Sequence, residues 1–242
     1  MEQARYAIYY VPKPDTPLAQ FGAYWLGRDV ATGETVAQPA IVDLDAPRLV
    51  EITDAPRRYG FHATLKPPFR LAKEYDLRML DEALEAFIAA QEPFEAPALE
   101  LAELDGFIAL RPKKTSDVIH QFAEDCVRAF DPFRAPPSQQ ELEKRLSAEL
   151  TDKQIKLLKK WGYPYVMSEF RFHMTLTERL KGKERKRLVA ELEVLMKDVL
   201  SGKKWTFDSI ALVCQKTPDE PFEVKKFYTF AQHHKRRWLV KK

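Results

Sequence analysis

Phe61-His62-Ala63-Thr64-Leu65 and Phe172-His173-Met174-Thr175-Leu176 agree at four of five positions. In an extended strand alternate side chains share a face. Phe61, Ala63 and Leu65 therefore turn one way, into a core, and Phe172, Met174 and Leu176 do the same in the second copy. His62 with Thr64 and Lys66, and His173 with Arg171, Thr175 and Thr177, turn the other way. Of the five histidines in the chain, these two share a context.

The surroundings repeat as well. After the first motif, where Pro67 and Pro68 are expected to stop the strand, Leu77, Leu80, Leu84, Phe87 and Ile88 recur at helical spacing up to Pro93. Two strands, 98–104 and 107–111, then flank Asp105-Gly106, a strong hairpin signal. The second motif, in a strand over 169–177, leads to a helix with Leu188, Leu192, Leu195, Met196 and Val199, and to strands near 205–215 and 224–230. The shared order of strand, helix and paired strands suggests duplication. It predicts an α+β fold, one bilobal domain over 1–242, with related lobes near 1–114 and 115–242 that can exchange strands. Each lobe carries an antiparallel sheet and flanking helices around a central cleft.

Elsewhere, 6–11 reads as a first strand, 18–26 as a helix ending at Gly27, and 116–130 as an amphipathic helix. Residues 28–58 give no clear pattern. Ser138 with Glu141, and Thr151 with Gln154, have capping-box spacing. They announce a helical hairpin over 138–161, with Leu142, Leu146 and Leu150 striping its first helix and Ile155 and Leu158 its second. It is inserted just before the second motif.

Composition narrows the function. The 242 residues are 45% hydrophobic and 31% charged, a globular balance that excludes a disordered or fibrous chain. No apolar run approaches the roughly 20 residues of a membrane span. The opening residues carry Glu2 and Arg5 without a signal-peptide core, and only two cysteines occur, Cys126 and Cys214. A cytoplasmic location is expected. The net charge of +3 comes from the end of the chain, where Lys235, Arg236, Arg237, Lys241 and Lys242 stand without an acid. The body is not basic, so duplex DNA is not an expected partner. Eight scattered glycines form neither a phosphate loop nor a dinucleotide fingerprint, and no third ligand with metal spacing accompanies either motif histidine. No cofactor and no metal are expected.

Two histidines, each with a hydroxyl two residues on, suit acid–base work at phosphorus. One imidazole accepts a proton while an imidazolium opposite donates one to a leaving oxygen. Hydroxyls of Thr64 and Thr175, with Lys66 or Arg171, can hold anionic oxygens as charge builds on phosphorus. A cyclic phosphate is apt, because opening it needs one group to activate water and one to protonate the departing sugar oxygen. The other histidines have simpler readings: His120 sits among apolar helix residues, and His233 and His234 lie in the basic tail. Arg57 and Arg58 read as solvated surface, and Tyr59 receives no role.

The paired His-x-Thr motifs resemble the two-histidine (2H) phosphoesterase superfamily, which includes RNA 2′,3′-cyclic phosphodiesterases and 2′-5′ RNA ligase-like proteins. The stretch Arg58-Tyr59-Gly60-Phe61-His62-Ala63-Thr64-Leu65-Lys66-Pro67-Pro68-Phe69 and the opening Arg5-Tyr6-Ala7-Ile8-Tyr9-Tyr10 resemble a bacterial branch of it, DUF1045-like and associated with phosphonate-utilisation genes. The resemblance implies a bilobal fold with two antiparallel sheets around a cleft. It also implies His62 and His173 as the acid and base, and Thr64 and Thr175 as phosphate binders. The expected activity is metal-independent opening of a small sugar or nucleotide cyclic phosphate, linked to phosphonate metabolism. Two alternatives stay open: a non-catalytic binder of nucleotides or RNA ends, and an RNA-end ligase running the same ester exchange in reverse.

Overall fold

The computed structural model describes residues 4–200, 202 and 204–231. The basic tail, with His233 and His234, lies outside the described residues. In chain order the elements are β1 (Arg5–Tyr10), α1 (Pro17–Leu26), α2 (Ala46–Ile52), α3 (Asp54–Tyr59), β2 (Ala63–Arg70), α4 (Leu77–Ala89), β3 (Phe94–Ala96), β4 (Leu99–Leu104) and β5 (Phe107–Pro112). They continue with α5 (Asp117–Phe130), α6 (Gln139–Leu146), α7 (Asp152–Trp161), β6 (Met174–Thr175), α8 (Gly182–Leu195), β7 (Trp205–Phe207), β8 (Ser209–Gln215) and β9 (Glu223–Thr229). The class is α+β, and every strand pairing is antiparallel.

The strands form a four-stranded sheet in the order β2-β1-β8-β9, a three-stranded sheet β4-β5-β6, and the small pair β3-β7. Each larger sheet therefore combines strands from both halves of the chain. The first motif's strand, β2, joins the late hairpin β8-β9 through β1. The second motif's strand, β6, joins the early hairpin β4-β5. That early hairpin turns at Asp105-Gly106, both at positive φ, as the sequence predicts.

One hydrophobic cluster spans both sheets. Ile8 and Leu65 of the larger sheet, and Leu110 and Met174 of the smaller, share it with Leu80 and Leu84 of α4, Phe122 and Phe130 of α5, and Leu188 and Leu192 of α8. Trp25 of α1 is fully buried in it, and its Nε1–H donates to the Leu176 carbonyl at 2.8 Å. This bond pins the first helix to the end of the second motif. The opposite face of the larger sheet carries Ala7, Tyr9, Val11, Ala211 and Val213, packed with Val30 and Phe222.

Two expectations about the motif strands are corrected. Strand β2 does not stop at Pro67 and Pro68 but runs through them to Arg70. It is the edge strand of its sheet, where a residue without an N–H is tolerated, and its register against β1 shifts on either side of Ile8. The second strand does not span 169–177: only Met174 and Thr175 pair, against Leu110 and Ala109. A single 3-10 turn at Met167–Glu169 precedes them.

Both predicted capping boxes form, on α6 and α7. The leucine stripe of α6 is not a core face, since that helix buries no residue. What fixes it is polar: Arg70 donates two bonds to the Glu141 carboxylate, at 2.5 and 2.6 Å. Helix α7 buries Leu158, and its Leu157 and Trp161 pack on Val127 of α5.

Candidate active site

The chain enters β2 through Gly60, which has φ +78, and a Cβ there would stand 2.3 Å from Val30. Only glycine fits this backbone. The Gly60 carbonyl accepts a 2.8 Å bond from His62 Nδ1–H. A carbonyl can only accept, so Nδ1 carries the hydrogen and Nε2 of the neutral ring faces Thr64, whose Oγ1 lies 3.1 Å away. His173 repeats the device, with its Nδ1–H donating to the Arg171 carbonyl at 2.7 Å. Each histidine is thus held by the carbonyl two residues before it, which fixes the tautomer and leaves Nε2 free of the backbone.

Burial lowers the pKa of both rings. His62 falls from 6.5 to about 4, mainly through desolvation, with its bond to Gly60 opposing and the charge of His173 adding to the fall. His173 is lowered by desolvation and by the Arg171 guanidinium, against its bond to the Arg171 carbonyl and the charge of Asp105. His62 is therefore neutral at pH 7 unless an anion arrives.

His62 and Thr175 line one open cavity of about 550 Å³, together with Tyr59, Gly60, Phe107, Thr177, Glu178 and Arg179. Thr175 reaches it by pairing with Ala109, which puts it on the face that Phe107 shares. His173 stands against Phe107, ring centroids 5.8 Å apart. The wall behind His62 is aromatic. Tyr9 lies flat on the imidazole, with centroids 3.7 Å apart and planes 21° from parallel, while Tyr59 stacks on Phe222 beside it. Tyr9 is missed by local sequence reading, because its place follows from the β1–β2 register, in which it sits opposite Thr64.

Lys66 and Arg171 do not join this cavity. The register slips between the Tyr9–Thr64 and Ile8–Lys66 pairs, so Leu65 is an extra residue on β2 and Lys66 turns with Ile8 toward the core. Lys66 is 1% exposed, with Nζ 3.5 Å from the Val127 carbonyl and 3.4 Å from Asp131 Oδ1. Arg171 lines a separate pocket with Arg111 and Lys114. Thr177 is also buried: its hydroxyl donates to the Glu178 carbonyl and accepts from the Ile108 amide, so its role is to brace the strand. His120 bonds the Phe170 carbonyl at 2.7 Å. Among the described residues, no three His, Cys, Asp or Glu side chains gather to hold a metal, and no helix is long and apolar enough to cross a membrane.

Fold and site together define an α+β protein with a cavity lined by His62 of the first His-x-Thr motif and Thr175 of the second, while Thr64 and His173 do not line it and the two histidines are held by matching backbone bonds. The chain belongs to the DUF1045 family, described as "protein of unknown function", whose model matches residues 64–223. It is similar to two proteins named ribose 1,5-bisphosphate phosphokinase PhnN. The one from Janthinobacterium sp. (strain Marseille) is 44% identical over 176 residues, and the one from Laribacter hongkongensis (strain HLHK9) is 35% identical over 177. Each match covers 73% of this chain but only 39% and 40% of the relatives, so the chain spans about two fifths of their length. Among solved structures it is similar to a phosphoesterase, with 11% identity and a TM-score of 0.42, and to E. coli LigT complexed with 3′-AMP, with 12% identity and a TM-score of 0.41. Both comparisons cover 96% of this chain and all of the other.

Proposed function

We propose that the protein is a phosphoesterase that opens a small cyclic phosphate by two-histidine acid–base catalysis, without a metal, in phosphonate-linked metabolism. The observation that carries this reading is the mirrored pair of Nδ1–H bonds, to the Gly60 and Arg171 carbonyls, which leaves each Nε2 available for proton transfer. The phosphorylated ribose in the names of the two relatives makes sugar phosphates the substrate class to test first.

In this mechanism His62, the ring held neutral, is the base. Its Nε2 takes a proton from water as the water oxygen bonds to phosphorus. The bond from phosphorus to one sugar oxygen breaks, and that oxygen takes the proton from Nε2 of a protonated His173. The bound phosphate anion and Asp105 both favour that protonated form. Thr175 donates to the phosphoryl oxygens as their charge grows, and Thr64, whose hydroxyl donates to the neutral His62 Nε2, turns its proton to them once Nε2 is protonated. The product is a phosphate monoester, and solvent returns the proton from His62 to His173.

Phosphorus NMR in EDTA tests the reading, with wild type, His62→Ala and His173→Ala against 2′,3′-cyclic nucleotides and ribose cyclic phosphates. The expected result is turnover of one class, reduced by about 10²–10⁴-fold in each variant. Full activity in a folded single variant overturns the dyad, and an activity that EDTA abolishes overturns the metal-independent mechanism.

A further inference from the structure

Beyond the cavity of His62 lies a second concave site of about 300 Å³, lined by Arg111, Lys114, Thr115, Ser116, His120 and Arg171 over a floor that includes Ile119 and Phe170. Three cations point to one pocket, and no acidic residue lines it. Arg111 is engaged by Glu100 at 3.1 Å. Lys114 and Arg171 have no carboxylate within salt-bridge distance among the described residues. Exposed cations on a convex surface are solvated and need no partner, but cations converging on a concave site raise the local concentration of anions.

The pocket is coupled to the reaction centre through one residue. The Arg171 carbonyl holds His173 Nδ1–H, and the Arg171 guanidinium is near enough to depress the His173 imidazolium. Arg111 follows Leu110, the partner of Met174, so the β5–β6 register carries it toward His173 as well. An anion seated between Lys114 and Arg171 would rest on the residue whose carbonyl holds His173, on side chains that the cavity of His62 does not use.

We propose that this pocket binds a second phosphate monoester of the substrate, so that the protein prefers a small sugar phosphate or nucleotide bearing two phosphoryl groups. This rests on the phosphoesterase reading above, and the test separates the two. Calorimetric binding of adenosine 3′,5′-bisphosphate and of adenosine 3′-phosphate to the full chain needs no turnover. The bisphosphate is expected to bind at least about tenfold tighter at low salt, with the gap narrowing as salt rises, because the cations are solvent-facing. Lys114→Ala and Arg171→Ala, both exposed positions whose truncation leaves the backbone bonds intact, should bring the two affinities together.

Equal affinities in wild type, binding of neither ligand at millimolar concentration, or a gap that survives both substitutions overturns the second site. In the kinetic arm, adenosine 2′,3′-cyclic phosphate is compared with and without a 5′-phosphate, and the doubly phosphorylated form should show the lower KM. A binding gap with no turnover of either cyclic compound or of the ribose cyclic phosphates leaves the pocket standing and refutes the phosphoesterase reading instead.

Discussion

Tyr9 lies flat against His62, ring centroids 3.7 Å apart, and the tyrosine is fully buried. The stacked ring shuts water from one face of the imidazole, and desolvation is the main reason that His62 is depressed to about 4. Tyr9→Leu fills much of the volume without covering the ring evenly, so the His62 pKa should rise toward 6.5. The acid limb of the kcat/KM profile should move up with it. Tyr9→Phe keeps the ring and removes a buried hydroxyl that has no hydrogen-bond partner among the described residues. It should leave the pH profile in place and change stability by about 1 kcal/mol or less, toward greater stability. Identical profiles for the leucine variant and wild type would show that Tyr9 only packs.

Stability should also depend on pH through the same ring. Between pH 6.5 and about 4 the unfolded chain takes a proton on this histidine that the native state refuses. The contribution is therefore intact above 6.5 and is lost as pH falls toward 4. His173 is shifted in the same direction. Urea titrations at pH 7.5, 6 and 4.5 should show wild type weakening across this window, and His62→Asn weakening less. Parallel losses in the two proteins would assign the acid sensitivity to other groups.

Gly60 carries a double constraint, a positive φ and a 2.3 Å approach to Val30 that a Cβ would require. Gly60→Ala should destabilise by about 1–3 kcal/mol. Because the Gly60 carbonyl is the acceptor that sets the His62 tautomer, kcat should fall further than stability explains. If turnover per folded molecule is unchanged in the alanine variant, the carbonyl is not what orients the ring.

The site was legible in the sequence to the extent that it depends on short-range repetition. The first motif's spacing put His62 beside Thr64, whose Oγ1 lies 3.1 Å from Nε2, and the Asp105-Gly106 turn announced its hairpin, whereas the second motif forms a strand only at Met174 and Thr175. What local reading misplaced was decided by the neighbouring strand. Lys66 obeys the alternation of an ideal strand, but the slip between Tyr9–Thr64 and Ile8–Lys66 turns it inward. Pro67 and Pro68 are strand breakers in a sheet interior and are tolerated here because β2 is an edge. That β2 joins β8 and β9 through β1 is a pairing across most of the chain, which no window of sequence contains. Tyr9 reaches His62 by the same long-range register.

Lys66 tests that slip directly. Its ammonium is buried beside Asp131 and the Phe69 ring, and burial lowers its pKa to about 8, with the Asp131 charge opposing. Asp131 keeps a two-pronged partner in Arg134, at 2.8 and 3.1 Å, so removing the lysine does not strand its carboxylate. Lys66→Met should therefore fold, with stability at pH 7 within about 2 kcal/mol of wild type. From about pH 8 to 10.5 the unfolded lysine holds a proton that the native one has released, so this residue's contribution rises with pH in wild type and is missing in the methionine variant. Cyclic-phosphate turnover should stay close to wild type, because this side chain faces α5 and not the cavity of His62. A loss of about 10²-fold or more in a folded Lys66→Met protein would place the ammonium at the phosphate after all.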